Sequence, residues 1–334
     1  MSDPILVTGA TGLVGNNVVR TLLGAGHAVR TLVRVSADSR PLEGLAVEQV
    51  TGDVTDAASV AAAVQGCGAV IHAAAEVHIG RTGLERQRRI NVEGTRNIAD
   101  AARKARIRLV HVSTCDAIGQ GTAESPATED TRLPQARLPY VITKREAERV
   151  VLGNVVAGLD AVIVNPAYMI GPWDWKPSSG KMLLEVAAGR GTFAPRGSTS
   201  LCDVRDVAQA IVAALTQGAS GERYILAGRT LSWLELWRKF AEVSGGRRPV
   251  CRAGPLMIWI GGWGGDVWGL IRRKEPAFNS ASARHAWQER HYSSAKAEQA
   301  LGYTIRPAEE TIRDAWAWFQ EHDYARRKEA NANL

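Results

Sequence analysis

The chain has 334 residues, of which 45% are hydrophobic and 22% charged, and its formal net charge is +7. This balance is ordinary for a folded globular protein and argues against extended disorder. Four scattered cysteines without a C-x-x-C pair favour a reducing compartment and do not suit zinc, so we expect a cytoplasmic protein without a metal site. Basic clusters alternate with acids and lack interleaved aromatic residues, so nucleic-acid binding is not expected.

The first 170 residues alternate short β-branched runs with helical patterns. The predicted strands are 5–8, 28–33, 47–50, 69–73, 108–113 and 161–165. Helices are predicted near 13–25, 56–65, 83–106 and 138–157. Because strands separated by helices are typical of βαβ crossovers, we predict an α/β protein with a Rossmann-type, doubly wound parallel sheet.

The character of the sequence changes near residue 170. All ten tryptophans follow it, and Tyr140 is the first of the Trp, Tyr and Phe residues in the chain. We assign residues 1–170 to a nucleotide-binding Rossmann domain and residues 171–325 mainly to a smaller C-terminal substrate-binding lobe. Segments near 200–228 are expected to return to the Rossmann domain, and residues 326–334 form a basic tail.

The apolar segment PLMIWIGGWGGDVWGLI spans residues 255–271. It is too short and too rich in glycine to cross a bilayer, so no transmembrane segment is predicted. The sequence leaves three interpretations open: a buried core segment, a lid over a pocket, and a peripheral contact with a membrane surface.

The segment VTGATGLVGNNVV joins the first predicted strand to the first predicted helix. Glycines there allow a tight turn and a close approach of the main chain to a pyrophosphate, whose charge meets the helix N-terminus. The preceding strand and following helix distinguish a dinucleotide site from an ordinary turn. The residues predicted to bind the cofactor in this loop are Gly9, Thr11, Gly12 and Leu13, and Gly15 completes the glycine pattern.

Arg34 directly follows the second predicted strand, and Ser36 and Arg40 lie nearby. At this place an acid would bind the free ribose hydroxyls of NAD(H), whereas a 2′-phosphate requires a cation, so NADP(H) is favoured over NAD(H). Asp53 and Val54 follow the third strand at a place suited to the adenine. An ordinary loop aspartate is the competing interpretation of Asp53.

Tyr140 and Lys144 lie one helical turn apart at the start of a predicted helix. A cation near a phenol lowers its pKa from about 10 toward neutrality and makes it a general acid or base. An exposed pair on one helix face, without chemical meaning, is the competing interpretation.

Five motifs occur along the chain in the order TGATGLVG, IHAAA, NVEGT, VSTCDAIG and YVITK. With them the chain resembles the extended short-chain dehydrogenase/reductase family over nearly its whole length. The segments VNPAYMIGP, CDVRDVA and SSAKAEQALGY make it most similar to the NAD-dependent epimerase/dehydratase-like and dihydroflavonol-reductase-like branch. These motifs are specific for fold and cofactor and poorly specific for substrate.

The resemblance implies roles for three residues. Tyr140 corresponds to the family's proton donor, and Lys144 to the residue that binds the nicotinamide ribose and lowers the tyrosine pKa. The family's hydroxyl residue, which bonds the substrate oxygen, lies five positions before a glycine, here Gly119. This gives Thr114, with Ser113 as the alternate and a purely structural hydroxyl as the competing interpretation.

Further residues are implied in the same way. The small residues Ala73, Ala74 and Ala75 would line the cofactor, and Pro166 would abut the nicotinamide. His78 lies one turn further on and could reach the substrate. An incidental loop histidine is the competing interpretation.

The chain departs from the family's sugar-nucleotide dehydratases in one motif. Those enzymes follow the active-site Thr with Asp-Glu, whereas Thr114 is followed by Cys115 and Asp116. The missing Glu disfavours dehydration. Epimerisation needs no such acid and stays open.

We therefore predict an NADPH-dependent reductase that converts a ketone or aldehyde to an alcohol. A hydrophobic or aromatic carbonyl compound is favoured because Trp173 and Trp175 follow the segment expected beside the nicotinamide, in a loop of the kind that lines pockets. The alternatives are an NAD(P)-dependent sugar or nucleotide-sugar epimerase and a non-enzymatic cofactor-sensing scaffold. A homodimer is expected through the helices at 83–106 and 138–157.

Overall fold

A computed structural model describes residues 3–132, 136–272, 275–276 and 279–325, with all side chains in these ranges except those of 258, 259 and 270. The basic tail predicted for residues 326–334 lies outside the described residues. The strands are β1 (Ile5–Thr8), β2 (Val29–Val33), β3 (Val47–Thr51), β4 (Ala69–His72), β5 (Arg108–Val112), β6 (Ala161–Pro166), β7 (Tyr168–Ile170), β8 (Phe193–Ala194), β9 (Ser198–Asp203), β10 (Arg223–Leu226), β11 (Arg229–Ser232) and β12 (Cys251–Arg252).

The helices alternate with these strands through most of the chain. They are α1 (Leu13–Gly24), α2 (Ala57–Val64), α3 (Leu84–Gln87), α4 (Gly94–Ala105), α5 (Pro139–Val156), α6 (Lys181–Ala187), α7 (Val204–Ala213), α8 (Trp233–Ser244), α9 (Pro255–Arg272), α10 (Ser280–Trp287), α11 (Ala295–Leu301) and α12 (Ala308–Glu321).

The central sheet has seven parallel strands in the order β10-β6-β5-β4-β1-β2-β3. This confirms the predicted α/β fold with a Rossmann-type, doubly wound sheet. From β1 the chain runs outward to β2 and β3, and then crosses to β4 on the other side of β1. The carboxyl ends of β1 and β4 therefore flank the crevice in which such sheets bind their ligands.

The two faces of the sheet are covered by different helices. Helices α1, α7 and α11 lie on one face, and α2, α4 and α5 on the other. Successive side chains of a strand point to opposite faces. In β1, accordingly, Val7 packs with the first group, around Val18 and Ile211, while Leu6 packs with the second, around Ile98.

Two of the predicted helices differ in detail from expectation. The segment predicted as one helix at 83–106 is α3, a π-helical turn at Arg88–Glu93, and α4. Helix α5 starts at Pro139, where a missing N–H costs nothing because the first turn has no intrahelical acceptor for it. Tyr140 thus lies in the first turn of α5, at the edge of the crevice.

The second lobe packs helices α6, α8 and α12 against the three-stranded sheet β11-β9-β7. Its core includes Leu236, Phe240, Ile312 and Phe319, all fully buried. Between its strands the chain returns to the central sheet, since α7 packs on α1 and β10 pairs in parallel with β6. Among the described residues, no helix is long and apolar enough to cross a membrane.

Candidate active site

The glycine loop after β1 is held in close contact with the loop after β4. Gly9 has φ of +73°, a conformation that favours glycine, and a Cβ there would lie 2.7 Å from main-chain atoms of Ala73 and Ala74. A Cβ on Gly15 would lie 2.1 Å from the Gly9 oxygen. The Gly12 N–H donates a hydrogen bond to the same oxygen at 2.9 Å, and Gly12 is the N-cap residue of α1. Side chains at Gly9 and Gly15 would therefore force apart the main-chain segments that form the crevice.

A pocket lies beside the glycine loop, at the end of β2. Arg34 is exposed at its edge, and in the described part of the chain it forms no ion pair. The nearby Asp38 carboxylate accepts hydrogen bonds from the Arg40 side chain at 2.5 and 3.0 Å, and this pairing lowers the pKa of Asp38. The pocket is lined by Thr11, Val33, Arg34, Val35, Ala37, Asp38, Ser39, Leu42, Gln49 and Thr51.

Asp53 and Val54 follow β3, the strand that lines this pocket through Gln49 and Thr51. Asp53 Oδ1 accepts hydrogen bonds from the N–H and the hydroxyl of Thr55, both at 2.9 Å. Val54 is buried against Gly94, and its oxygen accepts from the Asn97 amide at 2.9 Å. These contacts favour the loop-aspartate interpretation of Asp53, and a role toward the adenine stays a prediction.

A chain of buried hydrogen bonds runs from β1 toward the catalytic helix. The Thr8 hydroxyl lies 2.7 Å from His72 Nδ1, and His72 Nε2 lies 3.1 Å from the Thr95 hydroxyl. Thr95 donates to the Asn91 main-chain oxygen at 2.6 Å, so its own oxygen accepts from His72, which assigns the proton to Nε2. Burial, with the Lys144 charge, lowers the pKa of His72 to about 3, which keeps the ring neutral.

Asn91 continues this chain to α5. Its amide nitrogen donates to the Thr143 hydroxyl at 3.0 Å, and Thr143 donates to the Tyr140 main-chain oxygen at 3.0 Å. The Asn91 side chain also forms two hydrogen bonds with the main chain of Glu76, at 2.8 and 3.1 Å. The strand that carries the glycine loop is therefore joined to the first turn of α5 through paired polar groups.

Tyr140, Lys144 and Thr114 are all buried at the carboxyl end of β5. The Tyr140 hydroxyl faces the Thr114 side chain, which acts to lower the pKa of the phenol. Lys144 Nζ donates to the main-chain oxygen of Val112 at 2.7 Å. The structure thus brings together the three residues that the sequence predicts to be catalytic, and the Tyr–Lys pair is not an exposed surface pair.

The Tyr140 pKa differs from the expectation that Lys144 lowers it. Burial raises this pKa, the nearby Asp116 carboxylate raises it further, and the Thr114 side chain acts in the opposite sense. Asp116 is partly buried and pairs with His285 Nε2 at 3.4 Å and Arg290 Nε at 3.5 Å. Burial acts to raise the Asp116 pKa, yet the pairing with His285 and Arg290 holds it well below its ordinary value.

Ser113 points away from Thr114 and Tyr140. Its hydroxyl donates to the buried Glu148 carboxylate at 2.5 Å, and the Asn165 amide donates to the same oxygen at 2.7 Å. Asn165 also donates to the Thr114 main-chain oxygen at 2.9 Å. These bonds support Thr114 over Ser113 as the hydroxyl that faces a substrate, and they indicate a structural role for Ser113.

The remaining residues predicted to line the cofactor lie at the ends of β4 and β6. Ala73 N donates to the Thr8 main-chain oxygen at 3.2 Å, and Ala74 N donates to the Thr8 hydroxyl at 3.3 Å. Ala75 follows in the same loop and is partly buried. Pro166 ends β6 beside Leu226 of β10. All four thus flank the carboxyl end of the sheet.

His78 joins the loop after β4 to the second lobe. Its Nε2 lies 3.0 Å from the Glu275 carboxylate, which also accepts from the N–H groups of Arg81 and Thr82, at 2.7 and 3.2 Å. Burial acts to raise the Glu275 pKa, but these donors lower it to about 2. A role in substrate contact stays a prediction, while the observed contact is with a neighbouring segment.

The described ring contacts of Trp173 and Trp175 include side chains of α1 and α12. The Arg20 guanidinium of α1 lies 3.3 Å from the centre of the Trp173 ring. Both indoles contact Trp318 of α12, with ring centres 6.1 and 5.3 Å apart. Both tryptophans thus pack against the core of the second lobe. Their position in the wall of the substrate pocket stays a prediction.

Sequence reasoning missed the contact between Asp116 and the second lobe. In the sequence, Asp116 marks only a departure from a dehydratase motif. His285 and Arg290 lie far from it along the chain, and neither belongs to a motif. The buried chain of hydrogen bonds was missed for the same reason, because single threonines and histidines carry no pattern.

The parallel sheet, its glycine crevice and the Tyr–Lys–Thr cluster define a Rossmann oxidoreductase of the extended short-chain dehydrogenase/reductase type. The model of the NAD dependent epimerase/dehydratase family matches residues 5–227. The chain belongs to this family, and it is an NAD(P)-dependent oxidoreductase that uses a nicotinamide nucleotide.

Individual proteins are similar over nearly the whole chain. The "Sterol demethylase protein B" of Methylococcus capsulatus is 35% identical, over 95% of this chain and 98% of its own. A "Putative dihydroflavonol 4-reductase" of Synechocystis is 33% identical, over 98% and 97%. Among solved structures, that of gox2253 is 32% identical with a TM-score of 0.84, and covers 96% of this chain and 99% of its own.

Proposed function

We propose that the protein reduces a ketone or aldehyde to an alcohol with NADPH. The observation that carries the proposal is that the buried side chains of Tyr140 and Thr114 face each other, with Lys144 one helical turn further along α5. Two hydroxyls that meet at the end of a parallel strand can both bond one carbonyl oxygen. A cofactor-sensing scaffold has no use for this arrangement.

The direction of the Tyr140 pKa shift suits a proton donor. Because burial and the Asp116 charge raise the pKa, the phenol carries its proton at neutral pH. When a nicotinamide nucleotide is bound, it supplies the hydride for the carbonyl carbon. Thr114 bonds and orients the carbonyl oxygen, and Tyr140 passes its proton to that oxygen as the alcohol forms.

The preference for NADPH rests on the pocket after β2. Arg34 lies at its edge without an ion pair among the described residues, so its cation is available to a 2′-phosphate. Asp38, the acid of this pocket, is already bound to Arg40. Ribose hydroxyls of NADH would therefore lack a free carboxylate there. The glycine loop would hold the pyrophosphate, and Lys144 the nicotinamide ribose.

An apolar carbonyl substrate is favoured over a nucleotide sugar. The two curated relatives carry names that refer to a sterol and to a dihydroflavonol, both polycyclic compounds with large apolar surfaces. A diphosphate would require free cations near the site. Of the second lobe's cations, Arg290 is bound to Asp116 and Arg190 to Glu185.

A direct assay tests this function. The purified protein is mixed with NADPH and a panel of carbonyl compounds, among them a dihydroflavonol, a 3-ketosteroid and a nucleotide-linked keto sugar, and the loss of NADPH absorbance is followed. We expect turnover of an apolar compound. Tyr140→Phe should lose about two or more orders of magnitude in rate and still bind NADPH.

Tyr303→Phe is the matched control. Tyr303 is also buried, but its hydroxyl has no described hydrogen-bond partner, so its loss should leave the rate unchanged. If Tyr140→Phe keeps most of the activity, the assigned proton donor is wrong. Interconversion of two sugars without net NADPH consumption would identify the epimerase alternative instead.

A further inference from the structure

Helix α9 carries a continuous apolar surface. Among the side chains of α9 that the structure describes, seven large hydrophobic ones are exposed, including Ile260 at 57%, Val267 at 48% and Ile271 at 69%. Because an α-helix advances by about 100° per residue, all seven fall within an arc of about 140°. They are termed the α9 surface and comprise Leu256, Met257, Ile260, Trp263, Val267, Trp268 and Ile271.

The opposite face of α9 fixes its orientation. A Cβ on Gly262 would lie 3.0 Å from Ser280 Cα of α10, so the two helices are in close contact there. Asp266, one turn along, accepts from the Ser280 N–H at 3.1 Å and from the Arg81 guanidinium at 3.2 Å. With this face packed, the α9 surface points away from the protein.

The charges around the α9 surface are separated by sign. Arg252 lies three residues before the first residue of the helix, Arg272 ends it, and both are exposed. Asp266 and Glu275 point toward the protein and bond Ser280, His78 and the 81–82 segment, while Glu235 of α8, near Arg252, bonds Ser232. A partner that covers this surface therefore meets apolar side chains between exposed cations.

We propose that the α9 surface docks on an anionic lipid bilayer, with α9 lying in the plane of the membrane at the depth of the headgroups. An amphipathic helix with tryptophans on its apolar face and arginines at its ends is suited to this depth. The Arg272 guanidinium lies 4.9 Å from the centre of the Trp268 ring, so both can reach the headgroup region together.

A second copy of the chain fits this surface less well. A two-fold contact through the middle of α9 would place the arginines of both copies near one another, without an exposed acid of α9 to pair with them. Anionic headgroups supply the opposite charge over the whole surface. The repulsion between like charges and the apolar arc together favour the bilayer.

The α9 surface is connected to the proposed active site. The Arg81–Asp266 and His78–Glu275 contacts join α9 and the segment after it to the loop that follows β4. If the substrate is an apolar carbonyl compound, which rests on the proposed function, docking would bring this loop close to a membrane in which such a compound dissolves. Membrane docking itself needs no turnover and is tested without it.

Vesicle sedimentation with the full-length protein tests the proposal. The wild type should sediment with vesicles of phosphatidylcholine and phosphatidylglycerol, and more weakly with phosphatidylcholine alone. Ile260→Asp/Ile271→Asp should lower the partition coefficient by at least about tenfold, because two charges enter the apolar arc. Arg252→Glu/Arg272→Glu should remove the difference between the two kinds of vesicle.

Ile305→Asp is the matched control, since Ile305 is 44% exposed between α11 and α12, outside both the α9 surface and the helices predicted to form the dimer. It should sediment like the wild type. Thermal unfolding checks that every variant is folded. The proposal is overturned if the wild type stays in the supernatant or if Ile260→Asp/Ile271→Asp sediments like the wild type. It is also overturned if the wild type is a dimer that does not bind vesicles and the two substitutions only convert it to a monomer.

Discussion

The ammonium group of Lys144 donates a hydrogen bond to the main-chain oxygen of Val112, at 2.7 Å, inside the protein. Val112 ends β5, directly before the Ser113–Thr114 turn. This bond holds the cation beside the Tyr140–Thr114 pair and at the carboxyl end of the sheet. Because Lys144 lies beside the catalytic pair and at the end of the sheet where the cofactor is expected, Lys144→Met should impair both cofactor binding and turnover.

The same substitution has a consequence for stability. Burial lowers the pKa of Lys144 to about 8 from 10.5, although Glu148 acts in the opposite sense. Between these values the unfolded chain binds more protons than the folded one, so this group makes the free energy of unfolding rise with pH. In Lys144→Met that rise should be missing, as measured by urea unfolding from pH 8 to pH 10. Exposed Lys181→Met is the control, and equal slopes in all three proteins would contradict the assignment.

Cofactor preference depends on Arg34. Arg34→Asp replaces an ion pair with the 2′-phosphate by a repulsion worth about 1–3 kcal/mol, so NADPH should bind at least about tenfold more weakly and NADH much less so. Titration of both nucleotides by fluorescence measures the ratio. Arg248→Asp makes the same change in net charge at a distant exposed site and should leave the ratio unaltered. A wild type that prefers NADH would refute this assignment.

Asp116 should set the pH at which the reductase loses activity. Reduction requires the proton on Tyr140, and the Asp116 charge raises the pKa of that phenol. Asp116→Asn removes the charge and leaves His285 and Arg290 uncompensated. The alkaline limb of the kcat/KM profile should then move to lower pH by about one unit or more. Arg290→Met should move it the other way, and a limb that stays in place in both variants would exclude this electrostatic role.

The glycine loop gives a test of the cofactor crevice. In Gly15→Ala the new Cβ would lie 2.1 Å from the Gly9 oxygen, so the loop must shift and nucleotide affinity should fall by at least about tenfold. Gly24→Ala, in the last turn of the same helix, meets no atom within 4 Å. It should bind normally and be more stable by roughly 0.5–1 kcal/mol. Calorimetry of both variants with NADPH makes the comparison.

The homodimer expected through α4 and α5 is tested by the mass in solution. Both helices pack on one face of the sheet and on each other, which leaves their outer sides for a partner. Light scattering at micromolar concentration should give twice the mass of one chain. A monomer under these conditions would end this prediction.

The Rossmann half of the protein was predictable because its elements repeat a pattern. All six strands predicted in the first 170 residues are present with ends shifted by at most one residue. The Tyr140, Lys144 and Thr114 cluster was implied by the resemblance to the family. The second lobe has no such repetition, and hydrophobicity alone cannot distinguish its tryptophans that pack in the core, such as Trp237 and Trp318, from those that are exposed, such as Trp263. The Asp116–His285 contact depends on how the two lobes pack, which local sequence does not encode.

The chain of hydrogen bonds from Thr8 through His72, Thr95 and Asn91 to Thr143 limits how this protein can change over evolutionary time. Each member is buried and both donates and accepts, so replacing any one leaves a neighbour's polar group unsatisfied, at about 1–3 kcal/mol. A route to an apolar set must pass through such intermediates, whereas the core cluster of the second lobe consists of hydrophobic side chains, whose exchange leaves no chain of polar partners unsatisfied. New substrates are therefore more accessible to this lineage than a new arrangement of its cofactor half.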